Sequence, residues 1–144
     1  MLELDEQTKE LCRNAYSKEK IETLQKSAEE GDAEAQYQLG LYYAFDDDAK
    51  SVEYYIKAAE QGHAAAQCNL ATCYSGGRGV AQNYQKALQL YSMSAEQGYA
   101  NAQFYLGYFY ILMKDNTKGI EWLKKAAAQG QEQAIQVLEQ TQNQ

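Results

Sequence analysis

A thirteen-residue pattern, Gly-x-Ala-x-Ala-Gln-x-x-Leu-(Gly/Ala)-x-x-Tyr, occurs three times in this chain, beginning at Gly31, Gly62 and Gly98. A fourth start at Gly130 keeps only the glycine, one alanine and the leucine. Successive glycines lie 31, 36 and 32 residues apart, a period that is typical of repeats built from helix pairs. Each unit of such an array stacks only on its neighbours, so the recurring residues are expected to pack in the seams and the variable ones to carry function.

A second pattern within each unit predicts its second helix, which we call helix B. Its apolar residues are spaced i, i+3 and i+7, as on a helix that buries one face. Beside the last of them lies a small residue that lets a neighbouring backbone approach closely, and the glycine that follows is expected to end the helix because it takes a left-handed conformation at little cost. The apolar residues are Ile21, Leu24, Ala28; Val52, Tyr55, Ala59; Leu88, Tyr91, Ala95; and Ile120, Leu123, Ala127, and the small ones are Ser27, Ala58, Ser94 and Ala126.

The segment from 62 to 97, with its run AQCNLATCYSGGRGVAQNYQKALQLYSMSAEQG, resembles the Sel-one-like repeat (SLR) family, which is related to the tetratricopeptide repeat. The resemblance extends over residues 18 to 138. It implies an all-α solenoid of antiparallel helix pairs, with about three units and terminal half units. The first and third units lack the Gly-Gly-Arg-Gly-Val segment of the second, so we expect tighter turns within their helix pairs.

A single solenoid domain over residues 1–144 is therefore predicted, and a chain of this length buries about two thirds of its unfolded surface. Leu4, Leu11 and Ala15 are expected to form an N-terminal capping helix. The absence of proline from the 144 residues agrees with helices throughout. The predicted parts are an N-terminal cap and half repeat (1–30), three repeats (31–61, 62–97 and 98–129) and a C-terminal capping helix with a tail (130–144).

A cytoplasmic location is the expectation, because the acidic first 16 residues lack a signal-peptide core and no run of 18 apolar residues occurs. The three cysteines, Cys12, Cys68 and Cys73, do not recur from unit to unit, unlike the regular pairs of some secreted SLR proteins. Cys68 and Cys73 lie about 140° apart around one helix, so they cannot easily bridge each other. All three are expected to be free thiols.

Nothing in the sequence predicts catalysis, a cofactor or a metal. The single histidine, His63, follows a repeat glycine and is expected to be a surface or capping residue. Residues 76–79 (Gly-Gly-Arg-Gly) are not followed by the Lys-Ser or Lys-Thr of a phosphate loop and fit the inter-helix loop of the SLR family. The acidic run 46–48 lacks the alternating ligands and closing glutamate of a calcium loop, so capping of helix B is expected.

The variable positions of each first helix predict the binding surface. Counted from the repeat glycine, positions +3, +6, +10 and +13 lie opposite the arc of recurring residues at 100° per residue. The matching positions of tetratricopeptide arrays line the concave groove. Together with the adjacent Tyr105, they predict a partner-binding face made of Glu34, Tyr37, Leu41, Cys68, Thr72, Asn101, Phe104, Tyr105 and Tyr108.

Aromatic residues are concentrated at one end of this face, at Phe104, Tyr105, Tyr108, Phe109 and Tyr110. Only two or three of them can enter a seam between helices. The others are either exposed anchors for a partner, a common use of tyrosine at interfaces, or a hydrophobic cap beneath the last, incomplete repeat. The sequence leaves both interpretations open.

Charge is unevenly distributed along the chain. Up to Glu60 there are 15 acidic and 7 basic residues, a net charge of −8, whereas the remainder carries a net charge of +1. Nucleic acid and anionic membranes need clustered basic residues and are therefore excluded as partners. Two functions remain. One is an adaptor or scaffold that binds a protein or peptide, and the acidic half of the chain favours a basic partner. The other is an immunity-type inhibitor that blocks a basic toxin or enzyme.

Overall fold

The computed structural model describes residues 4–14 and 16–144, without the side chains of residues 12–14. This part of the chain forms nine α-helices and no strand, which confirms the predicted all-α class. From α2 onward each helix packs against the next one along the chain, as a solenoid requires. The helices are α1 (Glu6–Asn14), α2 (Lys18–Glu29), α3 (Ala33–Tyr43), α4 (Asp48–Glu60), α5 (Ala64–Gly76), α6 (Tyr84–Glu96), α7 (Ala100–Leu112), α8 (Asn116–Ala128) and α9 (Glu132–Gln142).

The repeats correspond to the helix pairs α3–α4, α5–α6 and α7–α8. Residues 44–47 and 113–115 join the first and third pairs, whereas residues 77–83 join the second. The prediction of tighter turns in the first and third repeats is therefore confirmed. The shortest turn holds Lys114 in a left-handed conformation, with φ of 64°.

The repeat glycines end the second helix of each pair, as predicted. Gly31, Gly62, Gly98 and Gly130 have φ values of 95°, 87°, 92° and 85°. With such φ values, the N–H of the residue after the glycine points back to a carbonyl in the last turn of the helix. After Gly62, for example, the N–H of His63 donates to the carbonyl of Ala58 at 3.2 Å. The sharp reversal brings the following helix back against the one before it.

The recurring glutamine forms a hydrogen-bonded ladder between repeats. Gln67, only 2% exposed, donates from Nε2 to the carbonyl of Ala59 at 3.2 Å and accepts at Oε1 from Gln97 Nε2 at 2.8 Å. Each glutamine thus bonds the end of the preceding helix B and the end of its own repeat, so its buried amide is satisfied on both sides. The equivalent bonds join Gln36 to Ala28 and Gln61, and Gln103 to Ala95 and Gln129.

The recurring tyrosine at the end of each pattern is covered by a lysine from helix B. Lys50 Nζ lies 4.4 Å from the ring centroid of Tyr43, and the same cation–π contact joins Lys86 to Tyr74 and Lys118 to Tyr110, at 5.0 and 5.6 Å. The backbone N–H of each of these lysines also bonds the Asp or Asn that caps the helix three residues earlier. A single Asp/Asn-x-x-Lys sequence therefore caps helix B and covers the tyrosine.

The core lies in the seams between neighbouring helices. Val52, Tyr55 and Ala59 of α4 are 3–6% exposed, which confirms the predicted apolar face of helix B. Of the small residues beside it, Ala58, Ser94 and Ala126 are all 0% exposed, whereas Ser27 is half-buried. Close packing also explains Gly40, because a Cβ there would collide with the ring of Tyr55.

The N-terminal helix departs from expectation. A helix forms at Glu6–Asn14, but Leu4 lies before it, and Leu4 and Leu11 are 41% and 70% exposed. The expectation that these leucines cap the core is wrong, because charged residues separate them and leave too little apolar area on one face to offset the cost of ordering. Ala15 lies outside the described residues.

Candidate functional site

The predicted binding residues of the first repeat lie at its junction with the second. Glu34 Oε2 lies 2.7 Å from His63 Nε2, and the ring of Tyr37 stacks on the imidazole at 4.6 Å between centroids. Hydrogen bonds from Gln38 and His63 lower the pKa of Glu34, and burial raises the pKa of Tyr37 to about 12. Leu41 is half-buried and packs on the core around Val52. These contacts join the first repeat to the second.

His63 also caps α5, as the sequence predicted. Its Nδ1 accepts a hydrogen bond from the N–H of Ala66 at 3.1 Å. The acidic run is likewise confirmed in its capping role, because Asp47 Oδ1 accepts from the N–H of Lys50 at 3.0 Å at the start of α4. Among the described residues, no three His, Cys, Asp or Glu side chains lie close enough to hold a metal ion together.

Two predicted outward residues are buried instead. Cys68 is 2% exposed and Phe104 is 7% exposed. Both occupy position +6 of the pattern, where the next helix pair crosses: Cys68 lies in a cluster with Ala102 and Leu106 of α7, and Phe104 packs in a cluster with Ala134 of α9. The prediction that position +6 faces outward is therefore wrong in the second and third repeats.

Four of the five aromatic residues of α7, all but Tyr110, line an apolar groove between α5, α6 and α7, with a volume of about 670 Å³. Tyr84, Tyr108, Leu112 and Met113 form its rim and are 58%, 45%, 61% and 51% exposed. The side chains that line it are uncharged throughout. Thr72, Ser75, Gln85, Leu88, Tyr91, Phe104, Tyr105 and Phe109 complete the lining.

The floor of the apolar groove is a cluster of stacked aromatic rings. Tyr91 is 2% exposed and stacks on Tyr105 at 5.2 Å and against Phe109 at 5.7 Å between ring centroids. Thr72 donates its single hydroxyl hydrogen to the carbonyl of Cys68, so the Tyr91 hydroxyl donates to Thr72 Oγ1 at 2.8 Å. Burial raises the pKa of Tyr91, which stays a neutral donor. The two sequence interpretations of the aromatic end thus apply to different residues: Phe104 packs under α9, and Tyr108 is exposed.

A polar cleft of about 260 Å³ continues from the apolar groove toward the first repeat, and the two share Thr72 and Tyr105. Its remaining polar lining includes Asn69, Asn101, Arg78 and Asp48. Six of the nine predicted residues, Cys68, Thr72, Asn101, Phe104, Tyr105 and Tyr108, therefore line one of two connected depressions.

The glycine-rich loop of the second repeat reaches back to the first. Arg78 Nη2 donates to Asp48 Oδ1 at 3.1 Å and to the carbonyl of Ala44 at 3.3 Å. A Cβ at Gly79 would collide with the carbonyl of Asp48, so the loop lies directly on the start of α4. The sequence identified this loop as an inter-helix connection but gave no sign that its arginine would line the polar cleft.

Acidic side chains cover the N-terminal part of the surface. Every described Asp and Glu from Asp5 to Glu60 is exposed. Of these, Asp48 pairs with Arg78 and Glu34 with His63 across repeat boundaries. No helix within residues 4–14 and 16–144 is both long and apolar enough to cross a bilayer.

The fold and the connected depressions define an α-solenoid of the kind that presents an extended concave surface. Three copies of the Sel1 repeat are recognised at residues 33–63, 64–99 and 100–131, and the chain belongs to this family. Sel1 repeat proteins generally act as protein–protein interaction modules and are generally not catalytic. A comparison with curated proteins gave no significant match.

Two solved structures resemble this one. A protective antigen of uropathogenic Escherichia coli strains, which displays an SLR fold, is 37% identical with a TM-score of 0.76; the match covers 80% of this chain but only 27% of the antigen. A Sel1 repeat protein from Oxalobacter formigenes is 33% identical with a TM-score of 0.75, and the match covers 83% of this chain and 97% of that one. Both confirm the SLR fold.

Proposed function

We propose that this protein is a non-catalytic adaptor that binds a protein or peptide through the apolar groove. The observation that carries the proposal is the rim, where four large apolar side chains are exposed around one uncharged depression. Its volume of about 670 Å³ is in the range of sites that bind ligands, roughly 300–1,000 Å³. Tyrosine at such a rim supplies a large contact area with few rotors to order.

The stacked floor supports binding rather than collapse of the groove. The stacked rings of Tyr91, Tyr105 and Phe109 hold the floor in place, so a partner meets a preformed surface. Preformed surfaces bind more tightly because less conformational entropy is lost on association.

A matched pair of variants tests the proposal. Tyr108 and Met93 are 45% and 44% exposed, but only Tyr108 lines the apolar groove; Met93 lies in a different depression beside Ile56. Immobilised wild-type protein and both variants are used to capture partners from extracts of the cells that produce it. We expect Tyr108→Ala to lose the partner and Met93→Ala to retain it, with unchanged helicity by circular dichroism. Equal capture by the two variants contradicts the groove.

The inhibitor is the second candidate, and the exposed acidic residues between Asp5 and Glu60 support it. Charge pairing that acts through solvent is screened by salt, with a Debye length of about 10 Å at 0.1 M. If the captured partner is a single basic protein that is released between about 0.05 and 0.5 M salt, a range over which this screening length shortens several-fold, the inhibitor is supported. Several unrelated partners that resist salt support the adaptor.

A further inference from the structure

The polar cleft lies on the path of any ligand that leaves the apolar groove toward the first repeat. The two depressions share Thr72 and Tyr105, so they lie side by side across α5 and α7, and we call them together the trough. At the cleft end, side-chain amides and a guanidinium replace the aromatic rings. The trough therefore has an apolar half and a hydrogen-bonding half, and a single ligand has to suit both.

The amides of the cleft are suited to a ligand with unsatisfied backbone groups. Asn101 is exposed and accepts at Oδ1 from Gln131 Nε2 at 3.5 Å, which leaves its Nδ2 donors for a ligand. Asn69 is half-buried and bonds two tyrosine hydroxyls, that of Tyr55 from its Nδ2 at 3.4 Å and that of Tyr37. A primary amide offers two N–H donors and a carbonyl with two lone pairs. An extended chain exposes one N–H and one C=O per residue, whereas a helical ligand has already paired these groups internally.

Charge limits the composition of the ligand. The apolar groove has no charged lining side chain, and a charge buried there without a partner would be costly. In the cleft, the charge of Arg78 is balanced by Asp48 at 3.1 Å, so the lining has no net positive charge to attract an acidic residue. The exposed acidic residues of the first repeat repel anionic sequences as well.

From these observations we infer that the trough binds an extended, non-acidic peptide segment, with one large apolar side chain in the apolar groove and its backbone hydrogen-bonded in the polar cleft. Helices pack about 8–10 Å apart, and a strand rises about 3.3 Å per residue, so the backbone contacts lie about three residues from the anchor. The inference rests on the proposed function and specifies the conformation and charge of the bound segment.

Synthetic peptides test this directly, with binding followed by NMR titration of the backbone amides of the full chain. The reference probe is the blocked octapeptide Ser-Gly-Ser-Phe-Leu-Ser-Gly-Ser. One probe has alanine in place of both Phe and Leu, a second carries N-methyl groups on the three residues that precede Phe, and a third has the two outer serines replaced by glutamate.

We expect saturable shifts around Tyr108 and Asn101 with the reference probe. Affinity should fall at least tenfold for the alanine probe, at least fivefold for the N-methylated probe, and several-fold at low salt for the glutamate probe. In the protein, Asn101→Ala should reproduce the loss caused by N-methylation, whereas Asn116→Ala, an exposed asparagine at the start of α8, should not.

If the reference and N-methylated probes bind with equal affinity, the ligand backbone does not hydrogen-bond in the polar cleft. If the glutamate probe binds as tightly as the reference, the preference for non-acidic segments is overturned. If no peptide binds but the native partner is still lost in Tyr108→Ala, this inference fails and the proposed function stands. If the native partner is retained by Tyr108→Ala, the proposed function itself fails.

Discussion

Glu34 and His63 connect the first two repeats through a 2.7 Å contact between Glu34 Oε2 and His63 Nε2. The other ring nitrogen, Nδ1, accepts the N–H of Ala66 at 3.1 Å and must therefore carry a lone pair. The proton is thus on Nε2, and a neutral imidazole donates to the carboxylate. One side chain caps a helix and joins it to the preceding repeat.

Replacement of His63 by alanine should destabilise the protein by about 1 kcal/mol, the usual cost of losing a cap. His63→Asn should recover most of this loss, since asparagine is among the best caps, although it is too short to keep the contact with Glu34. Urea denaturation at neutral pH measures both variants. If His63→Ala unfolds at the same urea concentration as the wild type, the cap does not contribute to stability.

Glu34 should give the protein a small pH dependence of its own. Hydrogen bonds from Gln38 and His63 lower the pKa of its carboxyl. A carboxyl with a lowered pKa in the folded state stabilises that state above its ordinary pKa, and the contribution is lost as the pH falls through the folded value. The effect is modest, because the side chain is 61% exposed and solvent screens it.

The variant Glu34→Gln removes this titration. Its free energy of unfolding should lie below that of the wild type at pH 7, and the difference should shrink as the pH falls below about 4, the range in which glutamate titrates. Exposed Glu132→Gln provides the control. A Glu34→Gln difference that is constant between pH 7 and pH 3 would contradict the assignment.

The buried glutamines of the ladder should contribute more to the free energy of unfolding than exposed glutamines do. Gln67→Met keeps nearly the same volume but removes the bonds to Ala59 and Gln97, at a cost of about 1–3 kcal/mol for a buried polar group that loses its partner. Gln89 on α6 is exposed, and Gln89→Met should change stability by less than about 0.5 kcal/mol. Chemical denaturation measures the stability of both variants. Equal losses for Gln67→Met and Gln89→Met would show that the ladder does not stabilise the fold.

The sequence predicted the repeats, their turns and their glycine stops because each depends on residues close together in the chain. It did not predict the role of Arg78, whose partners Ala44 and Asp48 are at least 30 residues away. The helical wheel placed Cys68 and Phe104 on the outer face of one helix. It could not show that the next helix pair covers that face, because the wheel contains no information on superhelical stacking.

Lys114 is strained, and relieving it should stabilise the protein. With φ of 64° it takes a left-handed conformation after the last turn of α7, as Gly77 does after α5 with φ of 66°, and its N–H bonds the carbonyl of Ile111 at 2.9 Å. A left-handed conformation costs about 1–2 kcal/mol in a residue with a Cβ. Lys114→Gly should therefore raise the free energy of unfolding by about 1 kcal/mol, less the greater entropy of glycine in the unfolded chain.

The reverse change at a glycine with a similar backbone conformation provides the control for Lys114. Gly62 has φ of 87° and also follows the last turn of a helix. Gly62→Lys should lower the melting temperature while Lys114→Gly raises it. If both variants shift in the same direction, the backbone conformation is not the cause.

Cys68 should be unreactive in the folded protein. It is 2% exposed, and burial raises the pKa of its thiol to about 12. The thiolate is the reactive form, so at pH 8.5 the folded state contains almost none of it, whereas an unfolded cysteine with an ordinary pKa of about 8.5 is half ionised. The test uses a variant in which Cys68 is the only cysteine, Cys12→Ser with Cys73→Ser, and labels it with iodoacetamide at pH 8.5. Labelling should be at least about a hundredfold slower in buffer than in 6 M guanidinium chloride, because the folded state lowers both the thiolate fraction and the access of the reagent. Rapid labelling in buffer at a rate independent of denaturant would mean that α7 does not cover this thiol, and the packing of the second repeat against the third would have to be revised.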